Sequence, residues 1–298
     1  MVEAFAVASG KGGTGKTTIA RYLSRQLEQE STDVRSGVVN CLSAGTPTAV
    51  LYDLLQDAGL GRGVPLSSSR LRLREELADH DGQVIAIIDE VDQLGDPKML
   101  CNLYEMSHVA TVLVCLDRDR WLSQIDPRVH SRFGTATTVR LDRYDRAAMV
   151  DILSQRVEVG LAPNSITRAA VGAIAEESGG DARRGVTLLR LCAERAVDES
   201  REEIDVGLVE QLAPEARSAL QDRYVSQLST HHRLLYDIVE AAGEIDASTL
   251  HDHYETQAAD PKTKRQRRRY LSALTEKYEV LVAEGDGAAR TYRVATVE

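Results

Sequence analysis

Residues 10–18 read GKGGTGKTT, and this stretch decides the fold of the first part of the chain. Gly10, Gly15, Lys16 and Thr17 satisfy the pattern G-x-x-x-x-G-K-[ST] of a phosphate-binding loop. Glycines let backbone N–H groups turn inward around phosphates, the lysine reaches the β- and γ-phosphates, and the hydroxyl ligates Mg²⁺. An apolar run precedes the loop and a helical pattern follows it, which is the context that the motif requires.

The loop therefore predicts a nucleotide site, with ATP or ADP and Mg²⁺ as its ligands. The loop residues expected to contact the nucleotide are Gly10, Gly12, Gly13, Thr14, Gly15, Lys16, Thr17 and Thr18.

A second motif, VIAIIDEVD at residues 84–92, supplies what the loop lacks. Its apolar run predicts a buried strand that delivers Asp89 to its carboxyl end, where the carboxylate holds Mg²⁺ through water together with Thr17. Glu90 lies beside it as the candidate general base for the attacking water. The alternative is that both acids merely cap the strand. With the loop upstream, the pair predicts ATP hydrolysis.

The order of elements predicts three domains. Over residues 1–141, short apolar runs alternate with helical patterns, which indicates an α/β domain with a parallel sheet. Residues 142–213 are wholly helical in pattern. Residues 214–298 read as three helices followed by two alternating strands around a Gly-Asp-Gly turn, which predicts a winged helix.

Residues 262–269, KTKRQRRR, hold six basic residues in eight. On a helix opening at Pro261, Lys264 shares a face with Arg268 and Arg265 with Arg269, while Tyr270, Leu271 and Leu274 point inward. This arrangement predicts a recognition helix in the major groove of double-stranded DNA, with further basic residues on the hairpin. The residues expected to contact DNA are Lys262, Lys264, Arg265, Arg267, Arg268, Arg269, Arg290 and Arg293.

The formal net charge of -10 argues against a nucleic-acid partner when taken over the whole chain. Screening confines each charge to roughly 8 Å at physiological salt, so the local basic patch outweighs the global balance. The alternatives for the patch are a solvated basic face or a protein-binding surface.

Composition also indicates where the protein works. Only six of the 36 basic residues are lysine, and such acid-rich, lysine-poor chains resemble proteins of salt-loving archaea. The four cysteines show no CxxC spacing, which favours reduced thiols inside a cell. No apolar run approaches the ~18 residues that span a bilayer. We therefore expect a cytoplasmic protein without a membrane partner.

Three stretches carry a resemblance to a known family: the DE-x-D form of the second motif, LDRDRWLSQIDPRVHSRF at 116–133, and SGGDARRGVTLLR at 178–190. They resemble the archaeal origin-recognition and replication-initiator ATPases of the AAA+ superfamily, relatives of the eukaryotic origin recognition complex and its helicase-loading partner. The resemblance implies an α/β fold with an AAA+ parallel-sheet ATPase domain, a helical lid and a C-terminal winged-helix domain.

The resemblance also implies roles for three further residues. Arg132 looks like the arginine finger that one protomer offers to a neighbour's γ-phosphate, and Arg183 looks like the sensor arginine that the lid brings to the nucleotide. Guanidinium groups suit both roles because they stabilise charge on a transferring phosphoryl group. Salt bridges are the alternative reading for each. Asp117 stands where the family has a polar sensor, so a carboxylate there implies slow turnover.

Two features depart from the family pattern. Family members carry a segment upstream of the loop that packs on the adenine base, whereas nine residues precede Gly10 here. Either the start is assigned too late, or base recognition is weak. Lys11 alone favours a partition ATPase with a deviant loop, but the D-x-D strand which that class requires after the first helix is absent from VVNCLSAG.

The leading hypothesis is a DNA-binding ATPase that recognises replication origins and helps load the replicative helicase, with self-association through Arg132. The rival hypothesis is a DNA-binding regulator or plasmid paralogue that binds nucleotide without productive hydrolysis.

Overall fold

The structure, a computed structural model, describes residues 5–8, 15–286 and 289–296, and of residues 5–8 it describes the backbone alone. These residues divide into two compact units between Leu141 and Asp142. In the part of the chain so described, no helix is both long and apolar enough to cross a bilayer.

The first unit contains a five-stranded sheet in which every pairing is parallel, in the order β2-β3-β4-β1-β5. Its strands are β1 (Phe5–Ala8), β2 (Val34–Asn40), β3 (Gln83–Asp89), β4 (Val109–Cys115) and β5 (Thr137–Arg140). Its helices are α1 (Lys16–Glu30), α2 (Pro47–Asp57), α3 (Arg70–Ala78), α4 (Met99–Tyr104), α5 (Arg118–Gln124) and α6 (Pro127–Phe133).

The interior strands explain why the sequence predicted this sheet. Val84, Ala86, Ile87 and Ile88 of β3 are fully buried, and β3 lies between β2 and β4 in the sheet. A strand covered on both faces reads as a nearly continuous apolar run rather than an alternating one. Since all strands run parallel, the residues that end β3 and β4 lie at the same edge of the sheet.

The second unit begins with helices that pack around a shared apolar core. They are α7 (Arg146–Gly160), α8 (Arg168–Glu177), α9 (Ala182–Asp198) and α10 (Val206–Ser226). The expected domain boundary between Ala213 and Pro214 falls inside α10, which continues through the proline. The physical reason is a stripe of buried residues that recur every four positions on both sides of Pro214. Its buried members are Leu208, Leu212, Ala216 and Leu220.

The rest of the second unit holds helices and a small antiparallel sheet in the order β6-β8-β7. Its elements are α11 (Thr230–Ala242), β6 (Glu244–Asp246), α12 (Ala247–Gln257), α13 (Lys264–Ser272), a π-helical turn (Ala273–Lys277), β7 (Leu281–Glu284) and β8 (Thr291–Val294). The basic helix α13 opens at Lys264 rather than at Pro261. The Thr263 hydroxyl sets this start by accepting a hydrogen bond from the Gln266 N–H (3.3 Å).

His251 of α12 is buried against the inner side of α13. Burial lowers the pKa of its imidazole from 6.5 to about 4, and the positive charges of Arg267, Lys264 and Arg268 act in the same direction. The His251 imidazole therefore binds a proton near pH 6.5 in the unfolded chain, but its lowered pKa delays this protonation to about pH 4 in the folded chain. Stability supplied by neutral His251 is complete above pH 6.5 and is lost as the pH falls towards 4.

We expect the free energy of unfolding to drop between pH 7 and 5 in the wild type and to drop less in His251→Gln. Urea titrations at both pH values measure this difference. His253→Gln is the matched control, because His253 lies two residues away on the exposed side of α12. An equal drop in wild type and His251→Gln would contradict the assignment.

Candidate functional site

The first turn of α1 is built as a phosphate site. Gly15 precedes the helix with φ of 74°, a left-handed backbone that favours glycine. Among the described residues, no side chain caps the helix start and no acid lies in its first turn. The first N–H groups of a helix have no partner within the helix, so those of α1 suit an anion. Lys16 and Thr17 lie in this turn partly exposed, and Thr18 is exposed.

A hydrogen bond joins the two predicted motifs. The Thr17 hydroxyl donates to Oδ2 of Asp89 at 2.8 Å, although the two residues lie 72 positions apart. Asp89 is the last residue of β3, so the strand delivers its carboxylate to the start of α1 as the sequence predicted. The other carboxylate oxygen, Oδ1, accepts the backbone N–H of Glu90 at 2.9 Å. The carboxylate is therefore held at both oxygens.

These two side chains fit a magnesium ion. Mg²⁺ prefers oxygen ligands in octahedral geometry at 2.0–2.1 Å, which puts neighbouring ligand atoms about 2.9 Å apart. The 2.8 Å between the Thr17 hydroxyl and the Asp89 carboxylate oxygen matches that separation. Thr17 and Asp89 together suit one ion or one of its coordinated waters.

Glu90 leaves the strand in an unusual backbone conformation. Its φ of 55° is left-handed, which is uncommon for a residue other than glycine and which persists only when the surroundings hold it. A short 3₁₀ helix, Val91–Gln93, follows at once, and the Gln93 N–H donates to the Glu90 carbonyl at 2.8 Å. The turn fixes Glu90 directly beside Asp89.

Part of the predicted loop lies outside the described residues. These loop positions are Gly10, Lys11, Gly12, Gly13 and Thr14.

Asp117 follows β4 and starts α5. Its Oδ1 accepts the Arg120 N–H at 3.0 Å, so the carboxylate acts as the helix N-cap. β4 neighbours β3, which puts Asp117 at the same edge of the sheet as Asp89. The hydrogen bond from Arg120 fixes the orientation of this carboxylate at the start of α5.

Arg132, on α6, is engaged within its own unit. Its Nη2 contacts Oε1 of Glu105 at 3.1 Å and its Nη1 donates to the Arg128 carbonyl at 3.0 Å. Its side chain is 31% exposed and that of Glu105 50%. Surface pairs of this kind contribute about 0–1 kcal/mol, so a stronger anionic partner displaces Glu105 readily.

Arg183 lies in the first turn of α9. Gly179 and Gly180 both have positive φ, which turns the chain so that the Asp181 carboxylate caps the helix and accepts the Arg183 N–H at 2.8 Å. The Arg183 Nη1 donates to the Tyr224 hydroxyl at 3.0 Å. Arg183 is exposed.

The basic helix α13 presents two classes of side chain. Lys264, Arg265 and Arg268 are exposed and Arg269 is partly exposed, which agrees with an outer basic face. Arg267 is buried, with 4% of its side chain exposed. Its guanidinium donates to the His251 carbonyl at 2.8 Å, pairs with Glu255 and lies 5.2 Å from the centre of the Tyr254 ring.

The expectation that Arg267 faces DNA is therefore wrong. Arg267 precedes Tyr270, Leu271 and Leu274 by three, four and seven residues, so it belongs to the inward stripe of the helix. The same spacing in the sequence excludes it from the outer face.

The remaining basic residues lie beside the helix. Lys262 precedes α13 and pairs with Asp260. Arg290 is exposed, 5.8 Å from the centre of the Tyr292 ring. Arg293 contacts Glu284 at 3.1 Å across the β7–β8 pair, which reduces the charge it presents.

Sequence reasoning missed the partners of the two predicted arginines. Glu105 precedes Arg132 by 27 residues and Tyr224 follows Arg183 by 41. Neither Glu105 nor Tyr224 lies in any of the motifs that the sequence shows.

Comparisons with known proteins agree with this architecture. The chain matches the family model for an AAA domain over residues 2–117 and that for a Cdc6 AAA+ ATPase-type lid domain over residues 150–213. Among solved structures it is similar to the Aeropyrum pernix ORC1 protein in complex with DNA (TM-score 0.67, 23% identity, 99% of this chain and 83% of that one). The ADP form of the ORC2 protein of that organism gives a TM-score of 0.63 at 22% identity, over 99% of this chain and 84% of that one. At these identities the likeness shows the fold.

Curated relatives show the family. The chain is 36% identical to the ORC1-type DNA replication protein 9 of Halobacterium salinarum over 96% of this chain and 81% of the relative. It is 34% identical to the ORC1-type DNA replication protein 1 of the same organism, over 87% and 85%. These relatives come from a halophilic archaeon, as the composition led us to expect. The chain therefore belongs to the ORC1/Cdc6-type archaeal replication initiators, with an AAA+ ATPase domain and a Cdc6-type lid.

Proposed function

We propose that this protein is an ATP-dependent DNA-binding replication initiator that recognises origins and helps load the replicative helicase. The observation that carries the ATP-dependent part is the hydrogen bond between Thr17 and Asp89, which unites the two halves of a nucleotide site. Membership of the initiator family supports the assignment to replication.

In the nucleotide reaction, the α1 N-terminus and Lys16 bind the phosphates, and Thr17 and Asp89 would hold magnesium, which would neutralise phosphate charge. Glu90 takes a proton from the water that attacks the γ-phosphate. Asp117 lies at the same sheet edge, at the position of the family's polar sensor, and its carboxylate slows turnover. Arg183 contacts the nucleotide from the lid.

Arg132 acts between protomers in this proposal. Glu105 holds the guanidinium in place until a neighbour's γ-phosphate competes for it. A γ-phosphate carries more negative charge than a carboxylate, and the exposed pair with Glu105 contributes only about 0–1 kcal/mol, so the exchange is favourable. ATP thereby promotes self-association.

DNA binding belongs to residues 214–298, which we propose to be a winged helix with α13 as its recognition helix. The exposed Lys264 and Arg268 support this role. Arg265, Arg269, Lys262 and Arg290 extend the positive surface, and Arg293 adds less because Glu284 pairs with it.

Replacement of the general base tests the ATPase. We expect Glu90→Gln to lower ATP turnover by roughly 10²- to 10⁴-fold, since the amide accepts no proton, while ATP affinity stays within about threefold of the wild type. Phosphate release and equilibrium titration measure the two quantities. Glu76→Gln, on the exposed side of α3, is the matched control and retains wild-type turnover.

Substantial turnover that is equal in wild type and Glu90→Gln would refute the role of Glu90. Equal and negligible turnover in both, with ATP still bound, would favour a DNA-binding regulator that uses nucleotide without hydrolysis.

The adjacent residues Arg267 and Arg268 allow DNA binding and stability of the fold to be tested separately. We expect Arg268→Gln to weaken binding to duplex DNA and to reduce the slope of log K against log salt by about 1, with unchanged thermal stability. We expect Arg267→Gln to lower the free energy of unfolding by about 1–3 kcal/mol, because the buried His251 carbonyl loses its donor.

Fluorescence anisotropy across a salt series and urea unfolding measure both variants. An unchanged salt slope for Arg268→Gln would move the DNA contact away from α13. Unchanged stability in Arg267→Gln would show that its buried contacts contribute little.

A further inference from the structure

Tyr224 of α10 holds the guanidinium of Arg183 in two ways. Its hydroxyl accepts the Arg183 Nη1–H at 3.0 Å, and its ring lies 5.5 Å from the central carbon of the guanidinium. A hydrogen bond and a cation–π contact together restrict where the arginine points. The fork of five N–H donors still lets the guanidinium serve a second acceptor.

Tyr224 also contacts the segment that continues the basic helix. Its ring packs on that of Tyr278, with centroids 5.6 Å apart and planes tilted by 54°. Tyr278 is buried and directly follows the π-helical turn Ala273–Lys277, which extends α13 without a break. The Tyr224 ring therefore contacts the segment that continues α13.

A second contact runs beside the first. Arg184, next to Arg183, pairs with the Glu279 carboxylate, and the Gln221 side chain donates to the Glu279 carbonyl at 3.2 Å. Glu279 has φ of 52°, a strained backbone that such contacts hold in place. Side chains of α9 and α10 thus contact Tyr278 and Glu279, which lie between α13 and β7.

We propose that Tyr224 is a positioning residue that couples nucleotide binding to DNA binding, a role that rests on the proposed function of Arg183 and α13. A γ-phosphate that binds Arg183 moves its guanidinium and so alters the hydrogen bond between Arg183 and the Tyr224 hydroxyl. The Tyr224 ring then shifts against Tyr278, and α13 responds. The reverse path lets DNA on α13 alter the orientation of Arg183.

Such coupling must be reciprocal. If a nucleotide changes DNA affinity by some factor, DNA changes nucleotide affinity by the same factor, and typical factors are about 5 to 150. A tyrosine that only stabilised the fold would leave this factor unchanged when replaced. The coupling factor therefore distinguishes positioning from structural support.

The experiment measures DNA affinity with and without a non-hydrolysable ATP analogue, using a labelled duplex of mixed sequence at one salt concentration. The reverse titration measures the affinity for the analogue with and without the duplex. We expect a factor of at least about 5 in both directions for the wild type. We expect a factor near 1 for Tyr224→Ala and an intermediate factor for Tyr224→Phe, which keeps the ring and loses the hydroxyl.

Tyr236→Phe is the matched control, because its hydroxyl bonds Glu240 on α11 at 3.1 Å and its removal leaves the contacts between Arg183 and Tyr224 intact. It should retain the wild-type factor. Loss of coupling in Tyr224→Ala, with duplex affinity in the absence of analogue kept, supports the proposal.

A wild-type factor of 1 with both ligands bound would overturn the coupling role alone. A wild-type factor retained in Tyr224→Ala, or a Tyr224→Ala protein that has lost its duplex affinity without analogue, would do the same. Wild-type protein that binds neither analogue nor duplex would overturn the proposed function itself.

Discussion

The hydrogen bond between the Thr17 hydroxyl and the Asp89 carboxylate is the constraint on which the first unit depends. It requires the start of α1 and the carboxyl end of β3 to meet, which a parallel sheet achieves because its strands end at one edge. The apolar residues of β3 provide the burial that fixes this strand between its neighbours. Apolar packing of β3 thus positions the polar side chains at the carboxyl edge of the sheet.

In the second unit, too, a buried contact positions the exposed residues, but here the buried residue is charged. Arg267 is buried under α13 and bonds the backbone of α12, which leaves the outer face of α13 to Lys264 and Arg268. The bond from Arg267 to the buried His251 carbonyl holds the inner face of α13 against α12. Tyr224 of α10 and Glu279, which follows α13, then tie this region to α9, the helix that carries Arg183 and Arg184.

Much of the fold was predictable because it follows from local patterns in the sequence. The start of α1 after Gly15, the buried strand ending at Asp89 and the outer basic face of α13 each follow from spacing within a few residues. The inward position of Arg267 was also present in the helical spacing, although basic composition obscured it. The continuity of α10 through Pro214 was not predictable, since tertiary packing overrides the local tendency of proline to end a helix. The partners of Arg132 and Arg183 arise from contacts between distant segments.

We propose that Thr17 and Asp89 form one magnesium-dependent nucleotide site. Calorimetric titration of ATP into wild type and Asp89→Asn, each with Mg²⁺ and with a chelator, tests this pairing. We expect Mg²⁺ to strengthen ATP binding to the wild type and this gain to be largely lost in Asp89→Asn. Equal gains from Mg²⁺ in both proteins, or no gain in the wild type, would contradict it.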